Sequence, residues 1–445
     1  MLHSTLRKSF GPGLLFAGAA IGVSHLVQST RAGAMAGLGL AGTVLLALVL
    51  KYPFFEFGPR YAAATGRSLI EGYRDVGQWA VWLYLALTGT TGVVVQVAVT
   101  LFTAFLIRYA AGSDWPLWVV TAVLVGGCMA LIRWGRYRAL DAAIKLVIGV
   151  LGVTTLVAMV VTAPRVDFST LRLLPLDHGR LIVPFGFILA LVGWMPTAID
   201  LNVWSSLWTL AKDETTDERT SVGNARLDFQ IGYVATGLLA FAFLILGATV
   251  MHGADTSFDP RGTVFTTQLV ELYTSTLGGW VRPVVLASAL ATMFSTTLTV
   301  VDGMPRAAAR ALAVLRDEGP QRAGAPSALD APTERATPTA RTTRTAEDRY
   351  YWPLMAVLAA ITVAVTGMFL GSLTALVDLA TILSFLIGPV LGWLTLRVVT
   401  GEGMPLVERP GRGMRWWCYL GLGLLGVTAV AYCISWVGRL AGGAG

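Results

Sequence analysis

The chain has 445 residues, of which 55% are hydrophobic and only 13% are charged. These proportions exclude an ordinary soluble domain and describe a chain that crosses a membrane many times. The net charge of +7 does not signal nucleic acid, because the basic residues lie in short loops between apolar stretches, where they set membrane orientation.

Residues 11–34 read GPGLLFAGAAIGVSHLVQSTRAGA. The stretch is apolar enough to enter a bilayer, yet it carries glycines, Ser24, His25, Gln28 and then Arg31. It lacks a small-residue cleavage site, so it is not expected to be a removable leader. Unpaired main-chain groups cost several kcal/mol in hydrocarbon, so unwound backbone persists only inside protein or beside a cavity. The segment is therefore expected to be a discontinuous helix, interrupted near Gly22–His25. A second interruption is expected at 193–206, GWMPTAIDLNVWSS. Paired interruptions in the two halves of a chain are the best sequence pointer to a transporter's binding site.

Apolar runs near the length needed to cross a bilayer occur at about 11–30, 33–57, 79–107, 116–133, 141–163, 182–209, 229–251, 281–304, 351–370, 373–398 and 416–438. The fold expected is an all-α polytopic membrane protein of about eleven transmembrane helices. Spans 1–5 and 6–10 each open with an interrupted helix, which predicts two inverted five-helix repeats plus an eleventh helix. With the N-terminus in the cytoplasm, Lys and Arg favour the inner side about threefold, which supports a multi-pass plasma-membrane protein of bacterial inner-membrane type. The stretch 316–349 is rich in Pro, Ala, Thr and charge. It is expected to be a disordered cytoplasmic linker, dividing one membrane domain into 1–315 and 350–445. Cys128, Cys418 and Cys433 are far apart and lie in apolar spans; they read as small buried hydrophobes.

Several short stretches resemble one family. GPGLL followed by RAGAMAGLGL, then AAATGRSLIEGYRD at 62–75, looks like the opening of the natural resistance-associated macrophage protein (Nramp) family of divalent metal transporters. Trp194–Pro196 resembles that family's sixth helix, where a Met-Pro pair marks the unwinding. STTLTVVDGMPRAAAR at 295–310 is similar to its eighth helix. The resemblance implies the inverted-repeat fold of LeuT-like transporters, with discontinuous helices 1 and 6. It implies a secondary-active transporter of a metal cation that works by alternating access. Met195 matches the family's metal-binding methionine. The family's sixth-helix histidines correspond to Thr197 and Asn202. Where the family carries Asp-Pro-Gly-Asn at the first break, this chain reads Gly22, Val23, Ser24, His25. Span 3 also lacks the family's acidic residues, so the fold carries over while hard-metal binding and proton coupling do not.

The candidate substrate contacts are Gly22, Ser24, His25, Met195, Thr197, Asp200 and Asn202. His25 offers an imidazole that ligates metal, takes a proton or hydrogen-bonds a solute. Met195 offers a soft thioether suited to a borderline metal. Asp200, one turn after Met195–Pro196, offers the missing negative charge or an N-cap at the restart of helix 6. His25, Met195 and Asp200 form the candidate metal set, with Asp200 and His25 as candidate coupling groups. A small organic solute in the same fold, or a non-transporting sensor, remains the alternative. An enzyme is not expected: the chain has four histidines, and no catalytic signature or metal-ligand cluster. No cofactor is expected. The expected partners are the transported ion or solute and the lipid bilayer, not nucleic acid.

Overall fold

The computed structural model describes residues 12–134, 137–216, 218–252, 258–316, 338–368 and 372–442. Span 1 runs as Pro12–Ala20, a π-helical segment Ser24–Ser29 and Thr30–Ala36. Spans 2 to 5 are Ala41–Thr65, Gln78–Ala111, Leu117–Trp134 and Tyr137–Thr162. Span 6 is Phe185–Gly193 followed by Leu201–Thr216. Spans 7 to 11 are Val222–Val250, Arg282–Leu315, Pro338–Met368, Leu373–Thr400 and Arg412–Gly442. Eight of these helices are long and apolar enough to cross a membrane unaided; the two interrupted spans and span 5 complete the eleven expected.

Span 2 begins eight residues later than the hydropathy suggests. The helix of span 1 continues to Ala36 and stops only at Gly37, whose φ of 57° suits glycine. The turn that follows delays span 2 to Ala41 and carries it on to Thr65, where Gly66 closes it in a left-handed conformation. A short helix, Leu69–Val76, then starts with a capping box: Glu71 reaches back to the amide of Ser68. This helix and Gly262–Leu277 were not expected as separate elements. The linker expected over 316–349 falls mostly outside the described residues, and span 9 is helical from Pro338. Cys128 and Cys418 are buried as expected, while Cys433 is exposed on span 11.

Spans 1 and 7 approach closely because both present glycine. A Cβ on Gly33 would sit 1.9 Å from the Leu244 carbonyl oxygen, and one on Gly247 would sit 2.2 Å from that of Thr30. Such small-residue contacts let helices meet backbone to backbone where lipid supplies no hydrophobic drive. The other end of span 1 is fixed to span 7 by the Gly13 amide, which donates to Asp228 at 2.8 Å. Phe16, Phe55, Phe229 and Tyr233 fill the space between spans 1, 2 and 7 with edge-on and tilted rings. Span 11 turns Leu420, Leu424, Val427, Val430 and Ile434 outward, as a lipid-facing helix does. Exposed tryptophans mark both ends of the bundle: Trp79, Trp82, Trp134 and Trp416 at the end nearer Pro12, and Trp115, Trp118, Trp280 and Trp436 at the opposite end.

Three outcomes are expected. Gly33→Val lowers the melting temperature of detergent-purified protein through a clash costing about 1–3 kcal/mol or more. Gly126→Val, where nothing lies within 4 Å, leaves it unchanged. Glu71→Ala strands the buried guanidinium of Arg310, which donates to Glu71 at 2.9 Å, and costs about 3–5 kcal/mol in denaturant unfolding.

Candidate functional site

Span 6 stops at Gly193, where span 10 packs directly on its backbone: a Cβ there would meet the Thr381 carbonyl oxygen at 2.1 Å. Residues Trp194–Asp200 are not helical, and Pro196, which follows a cis Met195–Pro196 bond, offers no amide. A helix that ends in mid-membrane leaves its last carbonyls without helical donors. Those carbonyls are taken by a side chain from span 2. The ammonium of Lys51 lies 3.0 Å from the carbonyl oxygen of Val192, 2.9 Å from that of Gly193 and 2.9 Å from that of Thr197. Its three N–H donors and three carbonyl acceptors match one for one. The Phe55 ring lies 5.6 Å from the same nitrogen.

Asp200 is buried and immediately precedes the second half of span 6. Its carboxylate lies against the amides of Asp200 and Leu201 and acts electrostatically on Lys51. The carboxylate thus sits where the second half of span 6 restarts, within electrostatic reach of Lys51. Met195 is fully buried on the same unwound segment. Thr197 contributes its carbonyl to Lys51. Asn202 is drawn aside, donating to Phe54 O at 3.3 Å and Thr395 Oγ1 at 2.9 Å, while its own Oδ1 has no partner.

The interruption of span 1 is narrower than expected. Only Ile21 and Gly22 leave the helix, and the chain resumes in a π-helical turn over Ser24–Ser29. The freed carbonyls are again closed from within. Ser24 Oγ donates to Ala20 O at 2.5 Å, and Thr296 of span 8 approaches Gly18 O and Ile21 O at 3.4 Å each. Gly22 is what lets Thr296 come so near, since a Cβ would meet its hydroxyl at 2.7 Å.

His25 is fully buried and points toward span 7. Its Nε2 donates to Thr236 O at 2.9 Å, and its Nδ1 lies 2.7 Å from Ser24 Oγ and 3.1 Å from Ala20 O. Phe243 packs edge-on against the ring. The structure thus brings the Thr197 carbonyl and Asp200 to Lys51, with Met195 on the same unwound segment, and groups Gly22, Ser24 and His25 against spans 7 and 8. Among the described residues, no three His, Cys, Asp or Glu side chains converge on one point.

Both ends of the bundle are closed by ion pairs. At the end opposite Pro12, Arg31 binds Asp378 through two nitrogens, at 2.7 and 3.1 Å, and Gln28 adds bonds to Asp378 and Thr381. At the other end, Arg310 joins Glu71, while Arg60 and Arg226 converge on Glu56.

The comparisons with known proteins agree with this architecture. An uncharacterized protein of Pasteurella multocida, PM0681, is 34% identical over 68% of this chain and 71% of its own length. The divalent metal cation transporter MntH of Verminephrobacter eiseniae is 25% identical over 56% of this chain and 57% of its own. Among solved structures, a manganese transporter of Eremococcus coleocola superposes with a TM-score of 0.67 at 13% identity, covering 99% of this chain and 89% of that one. MhsT bound to L-phenylalanine superposes at 0.60 with 12% identity, covering 95% of this chain and 98% of that one. These two likenesses establish the fold, an inverted-repeat transporter fold with discontinuous helices 1 and 6. The sequence model of the natural resistance-associated macrophage protein-like family matches residues 13–308, and the chain, a membrane transporter and not an enzyme, belongs to that family.

Proposed function

We propose that this secondary-active transporter carries a metal cation, held mid-membrane between the breaks of spans 1 and 6 and passed across by alternating access. The observation that carries the reading is the unwound segment Trp194–Asp200, which brings a buried carboxylate and a buried thioether to the centre of the bundle. Asp200 offsets cation charge and Met195 favours a borderline metal over Mg²⁺ or Ca²⁺. Gly22, Ser24 and His25 form the facing wall, and Thr197 and Asn202 flank the carboxylate. His25 and Asp200 remain the proposed coupling groups. The names of MntH and of the manganese transporter support the same cargo class. The charge bias of the loops supports a cytoplasmic N-terminus, an orientation in which the Arg31–Asp378 pair faces the outside of the plasma membrane.

One observation favours a second reading. Lys51 already occupies the carbonyls that a bare cation would use, which favours a small organic solute bound beside it. Isothermal calorimetry with Mn²⁺, Cu²⁺ and Zn²⁺ separates the two. Saturable heat with at least one ion is expected, and Asp200→Asn is expected to lower proteoliposome uptake of that ion about tenfold or more. No heat with any ion transfers the assignment to an organic solute, and no flux of any solute tried points to a sensor.

The pair Arg31–Asp378 is read as the outer seal. On a background lacking Cys128, Cys418 and Cys433, a Thr381→Cys reporter lies behind that pair. Its labelling by an impermeant maleimide is expected to rise several-fold when Asp378→Asn is added. Unchanged labelling would remove the pair from any gating role.

A further inference from the structure

Lys51 is a fully engaged cation in the middle of the bundle, and neither the family resemblance nor the cargo assignment accounts for it. It lies 11 residues into Ala41–Thr65, far from either end of span 2. The cost of burying an ammonium is several kcal/mol unless it is hydrogen-bonded on all sides. Here every ammonium proton meets a main-chain carbonyl, at 2.9 to 3.0 Å. Two of those carbonyls close the first half of span 6, and the third belongs to the unwound segment. The negative end of a helix dipole therefore points at the nitrogen. Phe55 presents its ring from the side and Asp200 supplies the nearby negative charge. Converging carbonyls of this kind replace the hydration shell of a monovalent ion in other membrane proteins.

We propose that the carbonyls of Val192, Gly193 and Thr197 form a monovalent-cation site, and that Lys51 fills it permanently with a tethered ammonium. The ligand class is a small monovalent cation or a primary alkylammonium. The site adjoins the proposed cargo contacts of Met195 and Asp200 and differs from them in being built of main-chain carbonyls. Its function is to let span 6 stay unwound without a free ion, and to tie span 2 to the break. In this role Lys51 is a positioning residue: it holds the carbonyls that shape the break.

Chemical rescue tests the assignment without reference to transport. Lys51→Ala removes the atoms from Cγ to Nζ, which n-propylammonium reproduces. Thermal unfolding of the purified protein, followed by tryptophan fluorescence, is compared with and without n-propylammonium, ammonium, K⁺ and tetramethylammonium. The variant is expected to melt below wild type. n-Propylammonium or a small monovalent cation is expected to restore about half or more of the lost melting temperature, in a saturable way. Tetramethylammonium, which has no N–H donor and is too large, restores nothing, and wild type responds to none of the four. If Lys51→Ala is recovered only as aggregate, recovery of monodisperse protein in the presence of each cation becomes the readout. Absence of rescue by every cation in either readout overturns the proposal. So does a Lys51→Met variant, similar in length and uncharged, that melts like wild type. Because the readout is stability, failure here leaves the metal-transport reading standing, and failure of metal binding leaves this site standing.

Discussion

A main-chain carbonyl that loses its helical donor inside hydrocarbon must find another, and most of this structure follows from how that need is met. Span 6 breaks at Pro196, which has no amide to give, beside the close contact of Gly193 with Thr381. Span 1 breaks over two residues only. In both cases the protein supplies its own donors: the ammonium of Lys51 for span 6, and the hydroxyl of Ser24 for span 1. Each unmade bond of this type costs about 1–3 kcal/mol, more when charge is involved, so the breaks persist because they are satisfied. The interior is held by polar geometry at a few points and by close glycine contacts elsewhere.

The same need explains the division of labour between the two interrupted spans. Span 6 keeps an unwound segment of seven residues carrying a thioether and a carboxylate. Span 1 recovers its helix almost at once, through a wider turn that accommodates the surplus backbone. His25 belongs to that recovery. Its Nε2 ties the resumed helix to Thr236, while Nδ1 lies beside the Ser24 hydroxyl of the preceding turn. A manganese transporter and a protein that binds L-phenylalanine share this backbone arrangement, so the choice of cargo rests on side chains and not on the fold.

The eleven passes were legible because membrane helices announce themselves by length and apolarity, and the two breaks because glycine, proline and polar residues inside an apolar run have few other uses. The Met-Pro pair located the second break correctly. Asp200 was legible as a charge with two roles. What escaped was Lys51. With span 2 expected over 33–57, that lysine reads as a cation near a loop. The turn at Gly37–Leu40 shifts the helix by about two turns and moves Lys51 to mid-membrane. Hydropathy averages over a window and does not register such a turn, since its residues, Gly and Leu, are as apolar as the helices around it. The direction of His25 was equally hidden, because a sequence does not show which neighbour a buried ring faces.

The two fastenings between spans 1 and 7 constrain how such a carrier cycles. Gly33 and Gly247 interlock the far halves backbone to backbone, and Gly13 is held by Asp228 at the near end. A helix clamped to its neighbour on both sides of its own kink has no freedom to swing one arm alone. Spans 1 and 7 are therefore joined as a single rod, and its tie to span 10 is of another kind, the side-chain ion pair Arg31–Asp378, which parts without unpicking a backbone contact.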